Sequence, residues 1–123
     1  MAKRKENSTN SINRDFITTN CDAIYTICKI GGRWKMMILF TLAEYEVLRF
    51  SELKEKVHGI TDRMLTLQLK ELETDQLIHR QVYAEVPPRV EYTLTSIAQD
   101  LLPIWPALEQ WGAKHRAFQE DTK

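Results

Sequence analysis

Arg63, Thr66, Leu67, Lys70 and Thr74 fall on one side of a single predicted helix, opposite Leu65, Leu69 and Leu72. A guanidinium such as that of Arg63 can bridge O6 and N7 of a guanine, or hold a phosphate. Thr66 and Lys70, one and two turns further on, suit phosphate oxygens. Leu67 offers only apolar contact, for example with a thymine methyl. Further along, Arg89 follows Pro87-Pro88, on a tip stiffened by two fixed φ angles. This set binds polyanions through positioned charge. The plainer reading is an ordinary solvated helix face.

A second chemistry belongs to sulfur. Cys21 opens a predicted first helix, and unpaired N–H groups at a helix start favour thiolate. The adjacent Asp22 opposes it. The plainer fate of a free cysteine is that of a small buried hydrophobe. Cys28 lies about 10 Å further along the helix axis, so an intact helix excludes a Cys21–Cys28 disulfide within one chain. His58, His79 and His115 have no metal-ligand spacing. No nucleophile elbow or phosphate-binding glycine loop is present, so neither an enzyme nor a bound cofactor is expected.

The elements that must position these groups can be read in order. Asp22 to Ile30 is a first helix, with Ile24, Ile27 and Cys28 on one side, and Gly31-Gly32 breaks it. Trp34 to about Glu44 is apolar almost all round and reads as a buried central helix. Ser51 to Val57 is a short helix with Ser51 as its N-cap. Gly59 frees the backbone for a sharp turn, and Thr61, itself a candidate DNA contact, caps the helix that carries the polar face, whose start Asp62 favours electrostatically. That helix runs to about Asp75. Period-two alternation over Ile78–Tyr83 and Val90–Leu94 marks two antiparallel strands around the tip Ala84–Arg89. Two helices, a tight turn and a hairpin make a helix-turn-helix followed by a wing.

These segments resemble the HxlR-type transcriptional regulators, relatives of the MarR group. The resemblance is carried by Cys21 before an amphipathic helix, Ile30-Gly31-Gly32-Arg33-Trp34, Arg49-Phe50-Ser51-Glu52-Leu53, Gly59-Ile60-Thr61-Asp62-Arg63-Met64-Leu65, Leu69-Lys70-Glu71-Leu72-Glu73 and Val86-Pro87-Pro88-Arg89-Val90-Glu91-Tyr92-Thr93-Leu94-Thr95. It spans roughly residues 20 to 113. It implies a bacterial, homodimeric, α+β winged helix-turn-helix protein that binds double-stranded DNA, with N- and C-terminal dimerisation helices. In some relatives the cysteine at the place of Cys21 senses oxidants, quinones or other electrophiles. Three positions depart from the family pattern: Leu67 is more often polar, Gln68 is often Arg, and Asp22 is often Pro. The first two bear on the target sequence, and the third bears on the thiol.

Length and composition frame this reading. A chain of 123 residues is one domain, and 43% apolar residues allow a small core. Charge is balanced at 17 cations against 17 anions, so attraction to DNA has to come from local concentration of charge. Two cysteines and no secretory signal fit a reducing cytoplasm, and no apolar run approaches the ~20 residues of a membrane span. Residues 1–19 are polar and read as a disordered tail, followed by one domain over 20–118 and a short tail over 119–123. After the wing, Thr95 caps a long C-terminal helix kinked at Pro103 and Pro106. Ile97, Leu101, Ile104, Leu108 and Trp111 follow the 4-3-4-3 spacing of a helix-pairing seam. Trp105 lies off that seam and needs another surface. A dimer interface formed by these residues with Ile24 of the first helix accounts for apolar surface that so small a domain cannot bury. A small-molecule effector between the central and dimer helices is compatible with the pattern. The rival readings are a winged-helix protein-interaction module without DNA binding, which neutral charge and Leu67 would suit, and a thiol enzyme, for which no base beside Cys21 is evident.

Overall fold

The computed structural model describes residues 21–122, so the expected tail over 1–19 lies outside the described residues. The chain divides into two units, Met1–Met36 and Met37–Lys123. In the first, α1 (Asp22–Ile30) starts with Cys21 at its N-cap. Cys28 is half-buried and Ile27 is exposed, whereas Ile30 is buried. The helix ends at Gly31, and Gly32 takes a φ of +97°, a left-handed conformation that glycine adopts without strain. α2 (Lys35–Tyr45) starts here and continues into the second unit. It buries Ile38, Leu39 and Leu42 but leaves Met37 exposed, so it is covered on one face rather than all round.

The second unit holds the expected helix-turn-helix and wing. α3 (Phe50–Lys56) has its N-cap two residues earlier than the sequence suggests. Its N-cap position is Arg49, whose backbone N–H donates to Glu52 Oε1 at 2.9 Å. Ser51 therefore lies inside the first turn, and the acid three residues along supplies the capping bond. Gly59, with φ +85°, makes the turn between Val57 and Ile60, both buried. α4 (Asp62–Thr74) follows, with Thr61 Oγ1 accepting from the Met64 N–H at 3.1 Å. Leu65, Leu69 and Leu72 are buried as their spacing requires. α4 is closed by a reverse turn in which the Leu77 N–H donates to Leu72 O at 2.9 Å and the Gln76 N–H donates to Glu73 O at 3.0 Å. This is the bonding of a Schellman motif, with Gln76 rather than glycine in the left-handed position at φ +61°.

β1 (Ile78–Tyr83) and β2 (Arg89–Leu94) form a two-stranded antiparallel sheet, in register from Ile78 opposite Leu94 to Tyr83 opposite Arg89. Leu48, just after α2, adds a bridge to Tyr92 through two backbone bonds of 3.2 and 2.8 Å. That bridge fixes the base of the wing to the core, where Leu48 and Tyr92 are both buried.

The C-terminal segment departs from the expected single kinked helix. Thr95 does cap a helix, with Oγ1 accepting from the Ala98 N–H at 3.3 Å, but that helix is only α5 (Ser96–Gln99). A turn follows, and α6 (Ile104–Asp121) starts afresh with Pro103 at its N-cap position. Pro106 falls in the first turn of α6, where a backbone N–H has no helical acceptor, so both prolines begin a helix instead of kinking one. The seam expected from Ile97 to Trp111 is consequently split, with Ile97 on α5, Leu101 in the turn, and Ile104, Leu108 and Trp111 on α6. α6 also continues to Asp121, past the boundary drawn at 118.

Candidate nucleic-acid interface

α4 holds the outward face because its inner face is anchored. Leu65 and Leu72 are fully buried and Leu69 nearly so, each worth roughly 1.5–3 kcal/mol of apolar transfer. Three such anchors over two turns fix the rotation of the helix. Thr61, Arg63, Thr66, Leu67 and Lys70 consequently all point to solvent. Lys54 of α3 pairs with Asp62 at 3.2 Å, linking the two helices of the motif where α4 begins. Surface pairs of this kind add little stability.

The hydroxyls on this face are partly committed. Thr61 Oγ1 is the cap acceptor. Thr66 Oγ1 donates to Asp62 O at 2.8 Å, and Thr74 Oγ1 donates to Lys70 O at 2.9 Å. A hydroxyl has one proton to give, so Thr66 has to break its backbone bond before it can donate to a phosphate. Arg63 and Lys70 carry no such commitment, since among the described residues neither forms an ion pair.

Arg89, expected from sequence to touch a phosphate from the wing, has partners within the wing. Its guanidinium lies over the Tyr83 ring, 4.0 Å from the centroid. Nη2 is 3.3 Å from Glu85 Oε1, and Nε is 3.8 Å from Glu91 Oε1. Nε is shielded from water and has no hydrogen bond. The hairpin register explains the arrangement. Tyr83 stands opposite Arg89 across the strands, and Glu91 is two residues on, on the same face of β2. Arg80 is the cation that sequence reasoning missed. It is exposed, it faces Tyr92 across the strands, and it lines a groove of about 330 Å³ with Thr66, Leu69, Lys70, Glu73 and Tyr92. Alternation along β1 puts Arg80 on the side of Ile78 and Val82, but gives no sign of the helix opposite it.

Of the residues expected at a dimer surface, Ile97, Ile104, Leu108 and Trp111 are exposed, and Leu101 and Ile24 are half-buried. Trp105, also expected at the dimer surface, is half-buried within its own chain. Its ring lies 3.9 Å from that of Phe40, centroid to centroid. Cys21 is half-exposed at the N-cap of α1 and its side chain makes no cap bond.

A family model described as HxlR-like helix-turn-helix matches residues 29–120. An uncharacterised HTH-type transcriptional regulator of Halalkalibacterium halodurans is 51% identical over 92 residues, which cover 75% of this chain and 81% of that one. Among solved structures, the redox regulator HypR in its reduced form aligns with a TM-score of 0.74 at 41% identity, over 81% of this chain and 98% of HypR. The reduced form of the transcriptional regulator YodB from B. subtilis aligns with a TM-score of 0.66 at 33% identity, over 74% and 89% of the two chains.

Proposed function

This chain belongs to the HxlR-like helix-turn-helix family of transcriptional regulators, and we propose that it acts in the cytoplasm as a homodimer on a palindromic operator. The observation that carries the reading is the outward face of α4, where Arg63 and Lys70 are solvated on a helix whose rotation is fixed by three buried leucines. Arg63 sits in the first turn, the part of a recognition helix that reaches base edges. Lys70, about 10 Å further along the axis, suits the backbone. The dimer reading rests on α6. None of its residues is buried, although it carries Ile104, Leu108, Trp111 and Phe118. Contiguous exposed apolar surface of this kind marks an association site. Ile24 is the expected contribution of α1.

Two recognition helices related by a two-fold axis read an imperfect palindrome, with half-sites about 34–36 Å apart or a multiple of that. The test is to sequence the genomic fragments that the purified chain retains. A shared imperfect palindrome is the expected result. Retention without a common motif, or no retention at low salt, contradicts the reading.

Cys21 favours a second, regulatory reading. It is half-exposed and at a helix start, and HypR, to which this chain is similar, is a redox regulator solved in reduced and oxidised forms. Cys21 is then the sensing thiol. One Cys21 from each protomer joins in a disulfide as both thiols give their protons and one electron each to an oxidant such as diamide, or a single thiolate adds to a quinone. Titrating the DNA complex with diamide compares Cys21→Ser with Cys28→Ser. Release that is lost only in Cys21→Ser supports the sensor. Release that persists in Cys21→Ser removes Cys21 from the mechanism, and no release from the unmutated chain leaves a non-covalent effector.

A further inference from the structure

We infer that the groove between α4 and β1 seats a DNA backbone phosphate, held by Arg80 together with Lys70, while Arg89 stays inside the wing. The inference rests on the DNA-binding reading above and assigns the wing's contact to a different residue.

The groove has a firm floor and charged walls. Leu69 and Tyr92 form the floor and are both buried. Tyr92 is also tied to Leu48 by two backbone bonds, so the floor moves with the core and not with the wing tip. Lys70 and Thr66 rise from the helix side and Arg80 from the strand side. Glu73 is the one carboxylate on the rim, against two cations. Neither Arg80 nor Lys70 forms an ion pair with any described residue. Both therefore meet a phosphate without first giving up a partner. A guanidinium and an ammonium facing one cleft from two rigid elements fit a single tetrahedral anion in a charge-assisted hydrogen-bonded geometry.

Arg89 is in the opposite condition. It would have to leave Glu85, Glu91 and the Tyr83 ring to reach a phosphate, and those two carboxylates would then face the DNA unneutralised. The hairpin thus divides its two arginines. Arg89, near the tip, neutralises the wing's own acids and holds its shape. Arg80, near the base, stays available on the face turned toward the recognition helix.

The test uses the full chain and a labelled mixed-sequence duplex, because a phosphate contact is independent of sequence. Anisotropy is measured across a salt series for the unmutated chain and for Arg80→Gln, Lys70→Gln, Arg80→Lys and Arg89→Gln. Each lost phosphate contact reduces the slope of log affinity against log salt by about 1 per protomer. We expect Arg80→Gln to flatten the slope by that amount and Arg80→Lys to restore it, since a cation suffices at a phosphate. Losses in Arg80→Gln and Lys70→Gln should be less than additive in the double variant if the two share one phosphate. Arg89→Gln should lower affinity by leaving Glu85 and Glu91 unneutralised, without flattening the slope by a full phosphate contact. A flattened slope in Arg89→Gln with none in Arg80→Gln overturns the inference while leaving DNA binding intact. Absence of duplex binding by the unmutated chain at low salt overturns the proposed function itself.

Discussion

α4 and α6 both carry apolar stripes of similar period, and the fold treats them in opposite ways. In α4 the stripe Leu65, Leu69 and Leu72 is buried to the last few per cent, and the polar side is what remains outside. In α6 the stripe Ile104, Leu108, Trp111 and Phe118 stays in water, with Trp111 67% exposed. His115 sits on the same side and stacks on Trp111 at 5.0 Å. The difference teaches what each helix is for. A covered stripe fixes a helix so that its other face can be aimed, whereas an uncovered one is left for the self-association proposed above. The regularity of pattern is the same in both, and only the presence of an intrachain partner separates them.

The contrast can be broken at its strongest point first. Leu72→Ala should cost about 2–5 kcal/mol, because it leaves a cavity under α4 that packing cannot close. Urea unfolding measures it, and a loss below about 1 kcal/mol would mean that α4 is not anchored as described. Trp111→Ala is the matching change on α6. It should leave the helical content unaltered and weaken self-association by about 2 kcal/mol or more, as loss of a central interface tryptophan does. Sedimentation across a concentration series reads this, and an unchanged dimer would remove α6 from the interface.

Smaller effects sharpen how α4 is placed. Gly59→Ala forces a side chain into a left-handed turn at φ +85° and should destabilise by roughly 1–2 kcal/mol. Thr61→Ala removes the acceptor for the Met64 N–H and should cost about 1 kcal/mol. Thr61→Ser keeps an acceptor oxygen and should recover most of it. If Thr61→Ala and Thr61→Ser are equally destabilised, the cap is not the reason for that residue.

How much of this was legible in the chain follows from how local each determinant is. The α4 face, its Thr61 cap and the Gly59 turn depend on neighbours within a few residues, and spacing alone exposes them. The hairpin was legible for the same reason, as alternation on either side of a proline pair. The break after Gln99 was not. Thr95 does start a helix, and the pairing seam runs on past it without interruption, but the prolines prefer a first turn to an interior. Two placements needed contacts between distant parts. Arg89 reads as a free tip cation until the register sets Tyr83 opposite it and Glu91 beside it. Arg80 reads as one alternating strand residue until α4 and β1 are set against each other. The bridge from Leu48 to Tyr92 likewise has no local signature.

The central claim is that the outward face of α4 reads DNA while the fold is indifferent to it. The direct measurement is the affinity of the chain and of Arg63→Ala for one retained genomic duplex, with urea midpoints taken on the same preparations. The account predicts a loss of about 1–3 kcal/mol in binding to that site, a much smaller loss on a mixed-sequence duplex, and an unchanged midpoint. Equal affinity of the two proteins for the retained site, with the fold of both intact, would contradict it.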